Sequence, residues 1–169
     1  HTLHRPKPLL HVGGGTLLSH LRRALAGVPV DETVFVVGHL GEQIRADVTA
    51  HWDVGARFVV QRELRGQAHA VILARAYISS PGIVVLPDMV FRVESAALSI
   101  AGTDGVIFGQ RVADPRRFGV VVTDGAGHAL RFVEKPDAIV SDLAIAGLYV
   151  LRDGPRLVDA CERLVHTRT

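Results

Sequence analysis

The sequence is poor in cysteine, lysine, aromatic residues and long apolar runs, and each shortage excludes something. One cysteine, Cys161, allows no internal disulfide and no zinc site built on cysteines. A reducing, cytoplasmic setting fits that usage. No apolar run nears the roughly 18 residues of a membrane helix, so no membrane partner is expected. The opening His1 to Arg5 has no apolar core of the signal-peptide kind. Aromatics are 5% of the chain, and the 19 basic and 17 acidic residues form no basic tract. Nucleic-acid surfaces need clustered Lys and Arg, and single strands need stacking aromatics as well. No nucleic-acid partner is expected. What is present is a 48% hydrophobic composition over 169 residues, enough for a sizeable core in a single domain, 1–169.

The order of patterns along the chain predicts an α/β fold. Leu17 to Ala26 reads as an amphipathic helix, Thr33 to Gly38 as a buried strand, and Glu42 to Trp52 as a helix. Ala56 to Val60 is a strand, Gln67 to Tyr77 a helix stopped by Ser79-Ser80-Pro81-Gly82, and Ile83 to Leu86 a strand. Strands alternating with helices on short links imply a mostly parallel, Rossmann-like sheet between two helical layers, with Thr33 to Leu86 in one sheet. After a short helix over Ser95 to Ala101 the period changes. Gly105 to Val112, Phe118 to Thr123 and His128 to Val133 read as strands, the last two joined at Asp124-Gly125-Ala126-Gly127 as a hairpin. Leu143 to Leu151 is a further strand and Arg156 to Leu164 a helix.

Few residues carry a chemical signal by themselves. Gly13-Gly14-Gly15-Thr16 lacks the Gly-Lys-Ser/Thr ending of a phosphate loop and reads as a turn before the helix. Asp88 follows a strand at the sheet edge where open α/β folds bind ligands, and is either a turn cap or a Mg2+ ligand. Gln61 closes a strand and Gly66-Gln67 opens a helix, which is an ordinary loop or a place where backbone approaches a ligand. Glu134-Lys135-Pro136 is a charge pair before a rigid turn. The nine histidines show no metal spacing, no nucleophile elbow occurs, and Cys161 lies on an amphipathic helix as a structural thiol. Lysine is the sharper anomaly: only Lys7 and Lys135 stand among 19 basic residues, each beside proline. An arginine-favouring genome explains most of that bias. An ammonium is also a compact point charge where a guanidinium is a wide fork, so a crowded phosphate site would retain lysine.

Taken in order, these segments resemble the sugar-nucleotidyltransferases, the family that includes glucose-1-phosphate thymidylyl- and uridylyltransferases. The resemblance is carried by Arg5-Pro6-Lys7-Pro8-Leu9-Leu10, Val36-Val37-Gly38-His39-Leu40 with Gln43-Ile44, Gln61 with Gly66-Gln67-Ala68-His69-Ala70, Leu86-Pro87-Asp88, Arg117-Phe118-Gly119-Val120-Val121, Val133-Glu134-Lys135-Pro136 and Ala146-Gly147-Leu148-Tyr149. It spans nearly the whole chain.

The resemblance implies a reaction between a nucleoside triphosphate and a sugar 1-phosphate, giving an NDP-sugar and pyrophosphate with Mg2+ as cofactor. It implies Asp88 as the metal ligand and Lys7 on the triphosphate. Gln61, Gly66 and Gln67 would face the base; Glu134, Lys135, Gly119 and Gly147 would face the sugar phosphate, with the glycines admitting backbone close to the ring. It is compatible with a homo-oligomer. Glucose 1-phosphate is the default sugar, because the segment at Gly147 lacks the asparagine of N-acetylglucosamine-type members. The family's first strand and glycine-rich loop are absent and are expected before His1; a second acidic metal position is expected beyond Thr169. An inactive homologue that binds sugar nucleotide as a regulatory subunit is the alternative reading.

Overall fold

The structure, a computed structural model, describes residues 3–52 and 55–167. The extensions expected before His1 and beyond Thr169 lie outside the described residues. Pro6 and Pro8 favour a single 3-10 turn over Lys7–Leu9, which drops Leu9 into the core. A minimal hairpin follows, β1 (His11–Val12) and β2 (Gly15–Thr16). Gly13 and Gly14 turn it with φ of 54° and 85°, the positive pair that a two-residue hairpin turn requires. The Thr16 side chain then caps α1 (Leu17–Leu25) by accepting the Ser19 N–H, and Leu17, Leu18 and Leu21 are buried.

Next come β3 (Glu32–Val37), α2 (Gly41–His51) and β4 (Gly55–Val60). The two strands pair in parallel, and α2 supplies the crossover such a pair needs. Their register sets Phe35 opposite Phe58; the rings stack at 5.5 Å, and Trp52 meets Phe35 edge-on at 4.9 Å. Ile44 and Val48 of α2 join Leu9, Leu18 and Leu21 over these rings.

The chain continues through α3 (Gly66–Leu73), β5 (Gly82–Val85), β6 (Gly105–Arg111), β7 (Gly119–Thr123), β8 (Ala129–Glu134), β9 (Leu143–Leu151) and α4 (Gly154–His166). β9 is the hub: it pairs antiparallel with β5, β6 and β7, and β7 carries β8 at the sheet edge. The α/β class and the hairpin turning at Asp124 to Gly127 are as expected from the sequence. Cys161 is buried on α4, and burial pushes its thiol pKa up.

One expectation is corrected. Thr33–Gly38 and Ile83–Leu86 were expected in one parallel sheet, but β3 pairs only with β4, while β5 takes its ladder from β9. Among the described residues no strand bridges the free edges of β3 and β5. They are joined through the core instead: Val85 packs against both the cluster that holds Val37 and the cluster that holds Leu148 and Val150. Two helices are also shorter than their patterns. α3 ends at Leu73 because the Ala74 N–H is shared between the Ala70 and Val71 carbonyls, tightening the chain into a 3-10 turn over Arg75–Tyr77. Ser95–Leu98 is a 3-10 turn as well. Leu18 is 1% exposed at the centre of the first cluster. Leu18→Ala is expected to cost about 3–4 kcal/mol, read as a lower urea midpoint with unchanged slope.

Candidate functional site

The 3-10 turn at Lys7 and the loop leaving β5 come together across 81 positions of sequence. The Lys7 Nζ donates to Asp88 Oδ2 at 2.8 Å, with the two side chains 57% and 42% exposed. Pro6 and Pro8 fix the backbone on either side of Lys7, and Pro87 does so before Asp88. Lys7, Pro8, Gln67, Leu86, Pro87 and Asp88 line one open cleft of about 200 Å³.

Gln67 enters that cleft from the first turn of α3. The helix starts at Gly66 with φ of 84°, and nothing lies within 4 Å of where a Cβ would stand. Only glycine adopts that conformation freely, and the open space permits close approach to the backbone. Gln61, at the end of β4, reaches across the loop: its Nε2 donates to the Gly66 carbonyl at 3.2 Å and lies 3.2 Å from His69 Nδ1.

A second group forms where β7, β8 and β9 lie side by side. Glu134 pairs in register with Gly119, and a Cβ at Gly119 would stand 2.9 Å from Glu134 Oε2. Tyr149 of β9 is half-buried; burial raises its phenol pKa and the Glu134 carboxylate raises it further. Lys135 has φ of 42°, its N–H bonded to the Phe118 carbonyl at 3.0 Å and its Nζ 3.7 Å from Glu134 Oε1. A non-glycine residue held in the left-handed region is strained, and here the ladder's last hydrogen bond holds it. Gly147, φ of 62°, joins the groups: its carbonyl accepts the Leu86 N–H at 2.9 Å, two residues before Asp88.

Lys7 and Asp88 therefore meet directly and Gln67 lines the same cleft, with Gln61 and Gly66 on its flank. Gly119, Glu134 and Lys135 form a neighbouring set. Among the described residues no hydrogen bond or ion pair joins the two sets; the link is Leu86 on Gly147. Gly119 and Gly147 were expected to admit backbone close to the sugar ring, and the structure shows a different use of the space. The space a side chain would fill at Gly119 belongs to Glu134, and at Gly147 to Leu86, 2.8 Å away, so both glycines make room for protein. Two residues without an assigned role enter the site, Tyr149 and His69. Nothing local marks Tyr149, since its nearness to Glu134 comes from strand order. His69 was legible, lying three residues after Gly66 and hence on the same side of the helix.

No cluster of three or more His, Cys, Asp or Glu among the described residues could hold a metal ion. Asp88 offers one carboxylate, half-exposed, with only Lys7 bonded to it. That donor set fits a Mg2+ whose other ligands are phosphate and water, not a metal held by protein alone.

The Tyr149 environment can be tested directly. The chain has two tyrosines, so Tyr149→Phe assigns the Tyr149 transition in an ultraviolet pH titration. In Glu134→Gln that transition should move to lower pH, because a negative neighbour is lost, and stay above the ordinary phenol range through burial. A raised phenol pKa means the folded state holds its proton longer than the unfolded one. Its contribution to stability is thus complete below the ordinary value of 10.0 and declines above it.

Comparison with known proteins places this chain in a family. The family model described as nucleotidyl transferase matches residues 2–162. The bifunctional protein GlmU of Solibacter usitatus is 33% identical, over 88% of this chain and 34% of that protein. The mannose-1-phosphate guanyltransferase of Schizosaccharomyces pombe is 31% identical, over 95% of this chain and 47% of that protein. The chain thus spans between about a third and a half of the length of these curated relatives. Among solved structures, one from Bacillus anthracis assigned as a glucose-1-phosphate thymidylyltransferase superposes with a TM-score of 0.79 at 20% identity, over 96% of this chain and 74% of that one; it shows likeness of fold. HddC from Yersinia pseudotuberculosis, complexed with GMP-PN, superposes with a TM-score of 0.72 at 25% identity, over 91% of this chain and 70% of that one. With the family model matching nearly the whole of its length, this chain belongs to the nucleotidyl transferase family.

Proposed function

We propose that this protein transfers a nucleoside monophosphate from a nucleoside triphosphate to a sugar 1-phosphate, with glucose 1-phosphate as the default sugar. The observation that carries the reading is Lys7 beside Asp88, brought together from 81 positions apart in a cleft that also holds Gln67. A phosphate oxygen of the sugar 1-phosphate attacks the α-phosphorus in line. The bond from that phosphorus to the bridging oxygen breaks, and pyrophosphate leaves with the electron pair. Such transfer asks the protein mainly for positioning and charge neutralisation.

Each residue has a part in that division of labour. Asp88 would hold Mg2+, and the metal would supply charge to offset the phosphates. Lys7 exchanges its carboxylate for the triphosphate oxygens. Lys135 neutralises the sugar phosphate and Glu134 accepts hydrogen bonds from sugar hydroxyls, with Gly119 and Gly147 fixing the wall behind them. Gln61, Gly66 and Gln67 face the base. An inactive binding homologue has no use for a metal-ligating carboxylate next to a phosphate-facing ammonium.

We also propose that a further strand and its glycine-rich loop complete the sheet between β3 and β5. Support comes from the free edges of both strands, which border one core around Phe35, Val37 and Val85. The natural polypeptide should then have an intact mass above 18.2 kDa, and a mass equal to it would refute the added strand.

Pyrophosphate release by the full-length polypeptide, measured over a panel of triphosphates and sugar phosphates with Mg2+, tests the transfer. Asp88→Asn should lose most turnover with melting unchanged. Lys135→Ala should weaken sugar-phosphate binding by about 1.5–3 kcal/mol, the usual size of a charge-assisted hydrogen bond, and Lys135→Arg should not restore it fully. Nucleotide binding without pyrophosphate release on any pair would sink the enzymatic reading in favour of the regulatory one.

A further inference from the structure

The loop between β4 and α3 contains a hydrogen-bonding arrangement with one logical solution. Gln61 Nε2 lies 3.2 Å from the Gly66 carbonyl and 3.2 Å from His69 Nδ1. A backbone carbonyl only accepts, so the Gln61 atom facing it must be the amide nitrogen. One amide hydrogen then goes to Gly66 and the other to His69. It follows that His69 Nδ1 is the bare nitrogen of the ring, with the imidazole proton on Nε2. Gln61 Oε1 has no partner among the described residues.

We propose that His69 is a positioning residue for base recognition, holding the Gln61 amide so that only its carbonyl oxygen is offered to the nucleotide. The inference rests on the reading of Gln61 as a base contact. A glutamine amide is ambiguous, since a half-turn exchanges donor for acceptor at little cost in shape. Here the turned form loses the bond to Gly66 and sets Oε1 against a carbonyl oxygen, and it keeps a bond to His69 only if the imidazole proton moves to Nδ1. Gly66 thereby selects the amide orientation, and His69 takes up the second amide hydrogen, leaving the oxygen as the group on offer. The ligand class it selects is a base that presents an N–H to that position. His69 does not itself touch the base; it stands half-buried on α3, three residues beyond Gly66.

Calorimetric titration of the full-length polypeptide with GTP, UTP and dTTP in the presence of Mg2+ tests this, with glucose 1-phosphate titrated in parallel. His69→Leu should weaken triphosphate binding about 5- to 10-fold, the value of one neutral hydrogen bond, and leave glucose 1-phosphate affinity alone. His69→Phe, which keeps the ring without the acceptor, should behave as His69→Leu does and serves if the leucine variant fails to fold. His69→Asn should recover binding, because its side-chain oxygen accepts where Nδ1 did. In a Gln61→Leu background, removing His69 should cost nothing more. Equal losses in both backgrounds would show a structural role and overturn the proposal, as would unchanged binding in His69→Leu and His69→Phe while Gln61→Leu weakens it. Unchanged binding in Gln61→Leu would instead overturn the base contact itself, and no triphosphate binding by the parent protein would overturn both.

Discussion

The hydrogen bond from the Leu86 N–H to the Gly147 carbonyl, 2.9 Å long, sets where the candidate site stands. It continues the β5–β9 ladder past Val85 and so determines where the chain leaves the sheet toward Asp88. Gly147 is the residue that permits it. At φ of 62°, with Leu86 atoms 2.8–3.1 Å from any Cβ, another residue would be strained and would have to displace the Leu86 side chain. Farther along the same edge the strand reaches β7 through Ala144 and Val120, and β7 sets Gly119 against Glu134. One strand therefore relates both charged groups, and an error in its register would separate them.

The electrostatics of the cleft differ from those of the rest of the surface. Elsewhere the ion pairs use arginine or histidine, among them Arg57 with Glu32, Arg111 with Asp142, and Arg116 with Asp114, whose carboxyl is lowered to about 2 chiefly by hydrogen bonds from the Arg116 side chain and backbone. The planar fork of arginine suits a fixed partner. Both lysines of the chain are instead in the two groups around Leu86 and Gly147. The Lys7–Asp88 pair is half-exposed, and exposed pairs contribute about 0–1 kcal/mol. An ammonium so weakly held can leave its carboxylate at small cost. Such a pair contributes little to stability.

The Gln61 loop adds a different kind of constraint. Its hydrogen bonds are neutral and local, between residues five and eight positions apart. They order the loop without any help from the large sheet. Gly66 leaves its surface open, since no atom lies within 4 Å of its missing Cβ. The charged pair thus depends on long-range packing, and the Gln61 arrangement on a short loop.

Much of this was legible beforehand. Alternation and turn chemistry locate the strands from Thr33 to Val60 and the Phe118 to Val133 hairpin, because period and glycine placement are local properties. The candidate residues Lys7, Asp88, Glu134 and Lys135 were named from strand ends, the scarcity of lysine and the resemblance carried by motif order. Strand pairing was not legible: β5 looked like a neighbour of β3, since alternating strands and helices suggest a parallel sheet, yet its edge hydrogen bonds went to β9, more than fifty residues later. The role of Gly147 was misread for the same reason, because only packing shows that Leu86 fills the place of its side chain. The sequence by itself determined the elements, the turns and which side chains carry charge, all of which depend on near neighbours in the chain. The tertiary structure alone decided which edges pair and which charges meet, because those depend on backbone hydrogen bonds that any residue can make.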